Sequence, residues 1–350
     1  MVRVGTCSGQ SERAFVGRVL LVGAALAICL SSIASAQEVD RVRHGLQIGA
    51  LGALRLALAD VEAKHKLKYE YKDFRDSTAA MLAVEQGEID IANTTLQHVV
   101  RAMDEGIPVV WVGGWGGGYN VLVASASLGL KKGDWKSLAD LAKKRMADKK
   151  PVKIGVPTGS MQHLKLVVAL RGAGINPDKD VEIVNIPFPT HARAIEGGEV
   201  DLAMTLAVFG ALSINSGKGA IFDHIFDKEA GKQEIGFIVK RETIEKKPDY
   251  VQRIVTSHVE AMKGFMTDLK KQIELEMKYL KLPEPVVTMV QRDFLRLNYR
   301  TNVADIALMA KQMHEIGWAK KNQSDQAAKF VNLSFMAKAT GESPDALSRW

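Results

Sequence analysis

The sequence predicts an α/β protein of two lobes, each a mostly parallel sheet flanked by helices, with two crossover strands between them acting as a hinge. Three observations carry this. The stretch EQGEIDIANTT, Glu85 to Thr95, returns as EGGEVDLAMTL, Glu196 to Leu206, with Glu85, Gly87, Glu88, Asp90, Ala92 and Thr94 matched by Glu196, Gly198, Glu199, Asp201, Ala203 and Thr205. That separation is too wide for a solenoid and suits a duplicated half. Strand-like and helix-like stretches alternate with short turns, the order that gives parallel strands covered on both faces. Finally, Val121 to Ser125 and Gly236 to Arg241 fall where the chain would pass between the halves, and two crossings make a hinge that can close on a ligand.

The elements follow in order. An alternating run from Arg43 to Ile48 gives a first strand, then a Gly-rich turn and a helix with Leu54, Ala57, Leu58 and Val61 at helical spacing. Leu67 to Phe74 alternates as a second strand, after which Asp76 or Ser77 can cap a helix that stops at Gly87. The first repeat copy supplies a third strand and a polar loop at its carboxyl end, the side on which open α/β sheets bind ligands. A helix from Gln97 to Glu105 and a strand from Ile107 to Val112 come next. Gly113 to Gly118 invites a phosphate-loop reading, but such a loop must open a helix, and Tyr119 to Ala124 looks like another strand. So many glycines are better explained by flexible, close-packed backbone beside a ligand or a hinge.

A second round begins with a helix from Ser137 to Arg145 and a strand from Pro151 to Val156. Thr158-Gly159-Ser160 then opens a helix to about Leu170, whose first N–H groups can hold a carboxylate, sulfonate or phosphate. The plainer alternative is that Thr158 or Ser160 simply caps it. A strand from Val181 to Ile186 and a helix from His191 to Glu196 lead into the second repeat copy, and Glu234 to Val239 reads as a returning strand. After Pro248 a long helix carries Val251, Ile254, Val255, His258, Met262 and Phe265 on one face, and two further helices pass through Met289 to Phe294 and Val303 to Met313.

With 350 residues, 47% of them hydrophobic and 25% charged, the chain is long enough for two ordinary globular domains. Arg3, Arg13 and Arg18, the apolar run from Val19 to Leu30 and Ala34-Ser35-Ala36 have the order of a secretory signal peptide, with the mature chain starting at Gln37. Both cysteines, Cys7 and Cys29, fall inside that segment, so the mature chain is expected to lack a disulfide and a thiol nucleophile. The net charge of +7 is a mild basic excess, and its densest cluster, Lys143 to Lys150, lacks interleaved aromatics, which argues against nucleic-acid binding.

Catalytic chemistry is not supported. His314-Glu315 begins like a zinc-protease helix, but Trp318 stands where the second ligand belongs, and there is neither a Gly-X-Ser-X-Gly elbow nor a Walker-type lysine. His258 reads as a hydrogen-bonded core residue, whereas His163, one turn into the helix after Ser160, can reach a bound anion. No metal or cofactor is expected.

Taken together, the export signal, the Gly-rich first turn, QGEIDIANTT, GSMQHLKLVVALRGAGI, DVEIVNIPF, GGEVDLAMT, IGFIVKRE and EKKPDYVQRIVTSHVEAM resemble, in that order, the periplasmic solute-binding proteins of ABC importers. The branch they resemble binds sulfonates, taurine, nitrate and thiamine precursors, and the likeness runs from Arg43 to Ser334. It implies a two-lobed periplasmic binding protein of type II, divided into 1–36 (signal peptide), 37–123 (first part of lobe 1), 124–235 (lobe 2) and 236–350 (return to lobe 1 and C-terminal helices). It also implies a monomer that captures a small, anionic molecule in the periplasm and delivers it to a permease and ATPase at the inner membrane, without being an enzyme. The alternatives are an exported ligand-sensing subunit or a thiamine-precursor-type enzyme on the same fold. A fungal enzyme of that kind depends on a cysteine-rich motif, which the mature chain would lack.

Carried onto this sequence, the ligand contacts implied are Leu51 and Gly52, Arg75 to Ser77, Asn93 to Thr95, and Thr158 to His163, including Met161. Arg75 is the expected charge partner, since a guanidinium matches carboxylate or sulfonate oxygens in pairs; an ion pair with Asp73 or Asp76 is the alternative. Ser77, Asn93, Thr94, Thr158 and Ser160 are expected to donate hydrogen bonds, Trp115 and Phe188 to form walls, and Thr205 to face Thr94 across the cleft. Trp115 equally suits the core. Relatives with a Glu-Pro or Asp-Pro pair after the second-lobe strand differ from this chain, which has Thr205 to Phe209 there and so lacks a partner for a cationic ligand.

Overall fold

The computed structural model of the protein describes residues 1, 2, 5, 39–47, 52–74, 76–225 and 231–350. Leu51, Arg75 and, except for residues 1, 2 and 5, the expected export segment lie outside the described residues. The first part of the chain runs β1 (Asp40–Gln47), α1 (Gly52–Ala59), β2 (Leu67–Phe74), α2 (Ser77–Glu85), β3 (Ile91–Thr95), α3 (Leu96–Glu105) and β4 (Val109–Gly117). The second runs β5 (Asn120–Ser125), α4 (Trp135–Ala147), β6 (Val152–Val156), α5 (Met161–Gly172), β7 (Val181–Asn185), α6 (His191–Glu196), β8 (Leu202–Leu206), α7 (Ala207–Asn215) and β9 (Gly219–Asp223). The last comprises β10 (Ile235–Lys240), α8 (Arg241–Lys246), α9 (Pro248–Thr267), α10 (Leu269–Leu280), α11 (Glu284–Met289), β11 (Arg296–Leu297), α12 (Val303–Glu315), α13 (Ser334–Thr340) and α14 (Pro344–Leu347).

Two sheets result, in the orders β11-β4-β10-β3-β1-β2 and β7-β6-β8-β5-β9. From the crossing strand outward they match: β10-β3-β1-β2 in the first, β5-β8-β6-β7 in the second. In each, the repeat strand pairs in parallel with the lobe's first strand (β1–β3, β6–β8) and antiparallel with a crossing strand (β10–β3, β5–β8). The sheets are therefore mixed, not simply parallel. A strand that enters from the other lobe arrives at the opposite end and must run against its neighbours.

The repeat is built by the same bonds in both places. Gly87 and Gly198 take the left-handed conformation that ends the preceding helix, at φ 75° and 71°. Asp90 accepts from Arg43 N–H at 2.9 Å and returns its own N–H to Arg43 O, as Asp201 does with Lys153 N–H and Lys153 O. These acidic residues tie the repeat strand to its parallel neighbour at the start of the ladder. Along the strands, side chains alternate between faces. Ile91 and Ala92 enter separate cores on either side of the first sheet, and Leu202 and Ala203 do the same on the second.

The crossings differ from expectation in position. Val121 to Ser125 lies wholly within β5 of the second sheet, so the first crossing is at Gly118 and Tyr119, and the return falls between β9 and β10. The Gly-rich run is not a flexible loop but the end of β4. A Cβ on Gly114, Gly116 or Gly118 would fall onto Arg300 O, Arg296 O or Phe294 O, so the returning chain can approach only a bare backbone. The C-terminal helices are also shared: Val286, Val290 and Phe294 pack with Leu206, Ala207 and Val208 of the second lobe. The lobes are packed closely enough that Arg41–Trp350 forms one compact unit.

At the crossings lies a fully buried ion pair, Lys165 Nζ to Glu234 Oε1 at 2.5 Å. Glu234 Oε2 accepts from Tyr119 N–H at 2.8 Å, Glu234 N–H donates to Gly116 O, and Glu234 O accepts from Leu96 N–H. One residue thus holds both crossings, the start of α3 and, through Lys165, α5. Removing one partner strands the other charge, so Lys165→Met should lose about 3–5 kcal/mol in urea unfolding, and adding Glu234→Gln should recover most of it. Gly116, at φ 115°, gains both backbone strain and a clash on substitution; Gly116→Ala should cost about 3 kcal/mol in the same assay.

Candidate functional site

A cavity of about 620 Å³ opens between the lobes. Its walls are the carboxyl ends of six strands: Gln47 of β1, Asp76 to Thr78 after β2, Thr95 of β3, Pro157 to Gln162 after β6, Pro187 to Pro189 after β7, and Leu206 of β8, with Phe209 of α7. Strand ends collect ligands because the following helices turn their unpaired N–H groups and positive dipole ends toward the same space. Four such helix starts, α2, α3, α5 and α7, border this cavity.

Two of these starts have side-chain caps. Asp76 accepts from Ala79 N–H at 2.9 Å, and Ser160 accepts from His163 N–H at 3.2 Å. The other two follow the repeat strands directly and have no side-chain cap at Thr95 or Leu206. Their first N–H groups are taken by the crossings: Leu96 N–H donates to Glu234 O and Ala207 N–H to Tyr119 O, at 3.2 and 2.7 Å. The duplicated motif and the two crossings therefore build the same helix start twice, facing one cavity.

The described wall combines an apolar side (Met161, Leu206, Phe209, Phe188 and three prolines) with hydroxyls, two glutamines, one carboxylate and an imidazole. Ser77 Oγ donates to Gln47 Oε1 at 2.8 Å. His98 lies between two hydroxyls, with Nε2 3.0 Å from Thr78 Oγ1 and Nδ1 2.8 Å from Thr95 Oγ1. Burial pushes its pKa down to about 4, helped by Arg101 and opposed by Asp76. A hydroxyl beside an imidazole suggests a nucleophile and its base. Here the second ring nitrogen meets another hydroxyl instead of an orienting carboxylate, and a group titrating near 4 is a weak base at neutral pH. Among the described residues no cluster of His, Cys, Asp or Glu could hold a metal ion.

The expected site residues divide. Ser77, Thr158, Ser160, Met161 and Phe188 line the cavity. Asn93, Thr94 and Thr205 do not: β3 continues through Thr95 and β8 through Leu206, so these three are buried inside strands and only the terminal residues reach the mouth. Asn93 bonds His44 Nε2 at 2.7 Å in the first-lobe core. Trp115 is also core, edge-on to Phe237 at 5.8 Å, and Gly52 packs against Tyr279 of α10. His163 turns away from the cavity, accepting from Gly159 N–H at 3.1 Å and lying 5.1 Å from the Trp318 ring. Leu51 and Arg75 are outside the described residues. Of the implied contacts Asn93 to Thr95, only Thr95 lines the cavity. Sequence reasoning missed His98, Leu206 and Phe209, although Leu206 follows the repeated Thr205 immediately and the other two sit in the first turn of the next helix.

The fold is that of the two-lobed periplasmic binding proteins. The structure superposes on the periplasmic aliphatic sulphonate binding protein SsuA from Escherichia coli with a TM-score of 0.65 at 20% identity, covering 82% of this chain and 91% of that one. On the periplasmic nitrate-binding protein NrtA from Synechocystis PCC 6803 the TM-score is 0.67 at 13% identity, covering 89% and 91%. The chain belongs to the NMT1-like family, whose profile matches residues 56–275. It is also 31% identical over 129 residues to the nitrate/nitrite binding protein NrtA from Nostoc sp. PCC 7120. That match takes in 36% of this chain and only 29% of the length of the relative.

Buried neutral imidazoles give the fold a pH limit. His98, His191 and His258 are pushed down to about 4, and His44 well below its ordinary 6.5, each chiefly by burial. The unfolded chain takes up these protons near pH 6.5 and the folded chain does not, so stability is level above that pH and lost below it. Urea unfolding from pH 7.5 to 4.5 should show this fall, at up to about 1.4 kcal/mol per pH unit for each histidine.

Proposed function

We propose that this protein is the substrate-binding component of an ABC importer, exported to the periplasm with residues 1–36 removed, and that as a monomer it holds a small organic anion between its lobes for a membrane permease. The observation that carries the reading is the cavity itself: strand ends of both lobes and four helix starts meet around one space. Helix starts favour anions, and they do so without a cationic side chain. Family membership and the named binders of sulphonate and nitrate support the transport role. The apolar side of the cavity and its volume of about 620 Å³ favour an organic body over nitrate, which would leave most of the space empty.

Arg75, between Phe74 of β2 and the cavity residue Asp76, is proposed as the charge partner for the anionic group. Phe188 and Phe209 would bear the apolar part. The role is capture without turnover.

A thermal-shift panel of aryl and alkyl carboxylates and sulfonates tests this. A ligand at 100 times its dissociation constant should add about 2.7 kcal/mol. Arg75→Ala should abolish the shift, and mass spectrometry should recover the ligand unchanged. Full affinity in Arg75→Ala would remove the assigned charge partner, and turnover of the ligand would favour an enzyme.

A further inference from the structure

A second, much smaller void lies in the core of the first lobe, where α9 and α13 meet strands β3, β4 and β10. At about 10 Å³ it has room for one water-sized body, and every residue lining it is buried. Three of the lining side chains carry a lone pair: His258 and Met262 of α9, and Met336 of α13. The rest are glycine, aliphatic or phenyl.

The hydrogen bonds fix which imidazole nitrogen is available. His258 Nδ1 stands 2.8 Å from Ile254 O. A carbonyl can only accept, so in the neutral ring Nδ1 carries the proton and Nε2 is a bare lone pair. Nε2 is buried without a hydrogen-bond partner, in a residue only 2% exposed. Met262 follows His258 by four positions, which sets the two side chains on one face of α9. Met336 comes from another helix. Its Sδ lies 3.0 Å from where a Cβ on Gly113 would stand, and Gly113 itself lines the void.

Water suits this place poorly. A buried water needs two to four polar partners, and the lining side chains offer one imidazole nitrogen and two thioethers, which accept only weakly. Toward a metal the same three groups are good donors, and thioethers select soft ions over those that prefer oxygen. The charge follows from the surroundings. Among the described residues lining the void there is no carboxylate, so a dication would be buried uncompensated. A monovalent ion carries half that charge, and the Phe237 ring, its centroid 4.5 Å from that of His258, places a π system beside it.

We propose that His258 Nε2, Met262 Sδ and Met336 Sδ form a site for a soft monovalent metal ion, Cu(I) or its analogue Ag(I), within the first lobe and separate from the cavity between the lobes. The bound ion ties α9 to α13 across the face of the sheet.

Silver is the probe, because Ag(I) matches the charge and ligand preference of Cu(I) without being readily oxidised. It is added to the full chain with Cys7→Ser and Cys29→Ser, both ahead of the first strand, so that thiols do not compete. Native mass spectrometry should find one silver ion per chain, and Cu(I) supplied from an anaerobic chelator buffer should displace it. The methionine methyl NMR signals of Met262 and Met336 should move on binding, while those of the exposed Met146 and Met266 stay in place. Met262→Leu with Met336→Leu conserves core volume and should weaken silver binding by at least about tenfold, with the metal-free urea midpoint as the check on folding. Each single exchange leaves one sulfur and should give an intermediate loss. Absence of bound silver, affinity undiminished in the leucine variants, methyl shifts confined to the exposed methionines, or failure of Cu(I) to displace silver overturns the proposal.

Discussion

Everything in this molecule passes through Glu234. Its carboxylate takes the Lys165 ammonium from α5 and the Tyr119 N–H from the first crossing, while its main chain bonds β4 and the start of α3. A charge with almost no solvent access is tolerated only when its hydrogen-bonding capacity is filled by groups held rigidly in place. Those groups come from both lobes. The pair therefore fixes how the two chain crossings lie side by side, and hence where the two sheets point their strand ends.

The exchange of strands follows from that arrangement. Each sheet receives one strand from the chain on its way to or from the other lobe, β5 in one direction and β10 in the other. The residue just before each exchanged strand, Tyr119 or Glu234, offers its carbonyl to the first N–H of the helix that follows the repeat strand of that same lobe. Backbone hydrogen bonds that would otherwise be left unpaired at a buried helix start are satisfied by the crossing itself. The rest of that turn has no side-chain cap, and Thr95, His98, Leu206 and Phe209 around the two starts line the cavity. The hinge region and the ligand wall are thus one construction.

The cavity divides its labour by lobe. The first lobe contributes the hydroxyl and imidazole corner at Thr78, Thr95 and His98, and the second contributes most of the apolar side at Met161, Phe188, Leu206 and Phe209. The helix starts come from both. A ligand with distinct polar and apolar ends would meet both lobes at once, which is the geometry in which binding energy holds two lobes together.

The sequence by itself determined the duplication, the strand and helix order and the cores. Leu67 to Phe74 is a strand with the bounds its alternation indicates, and Val251, Ile254, Val255, His258, Met262 and Phe265 are all buried along α9. These are local signals, set by periodicity, by glycine at positive φ and by capping. What the tertiary structure alone decided was register. Whether Thr94 or Thr95 reaches the mouth depends on how far β3 pairs with a strand more than a hundred positions away, and one residue changes the face on which a side chain stands. The glycines of β4 likewise acquire their purpose only when residues 294–300 return to lie against them. Long-range pairing of this kind leaves no mark in the neighbouring sequence, which is why His98 and Leu206 emerged at the cavity while Asn93 and Trp115 went to the core.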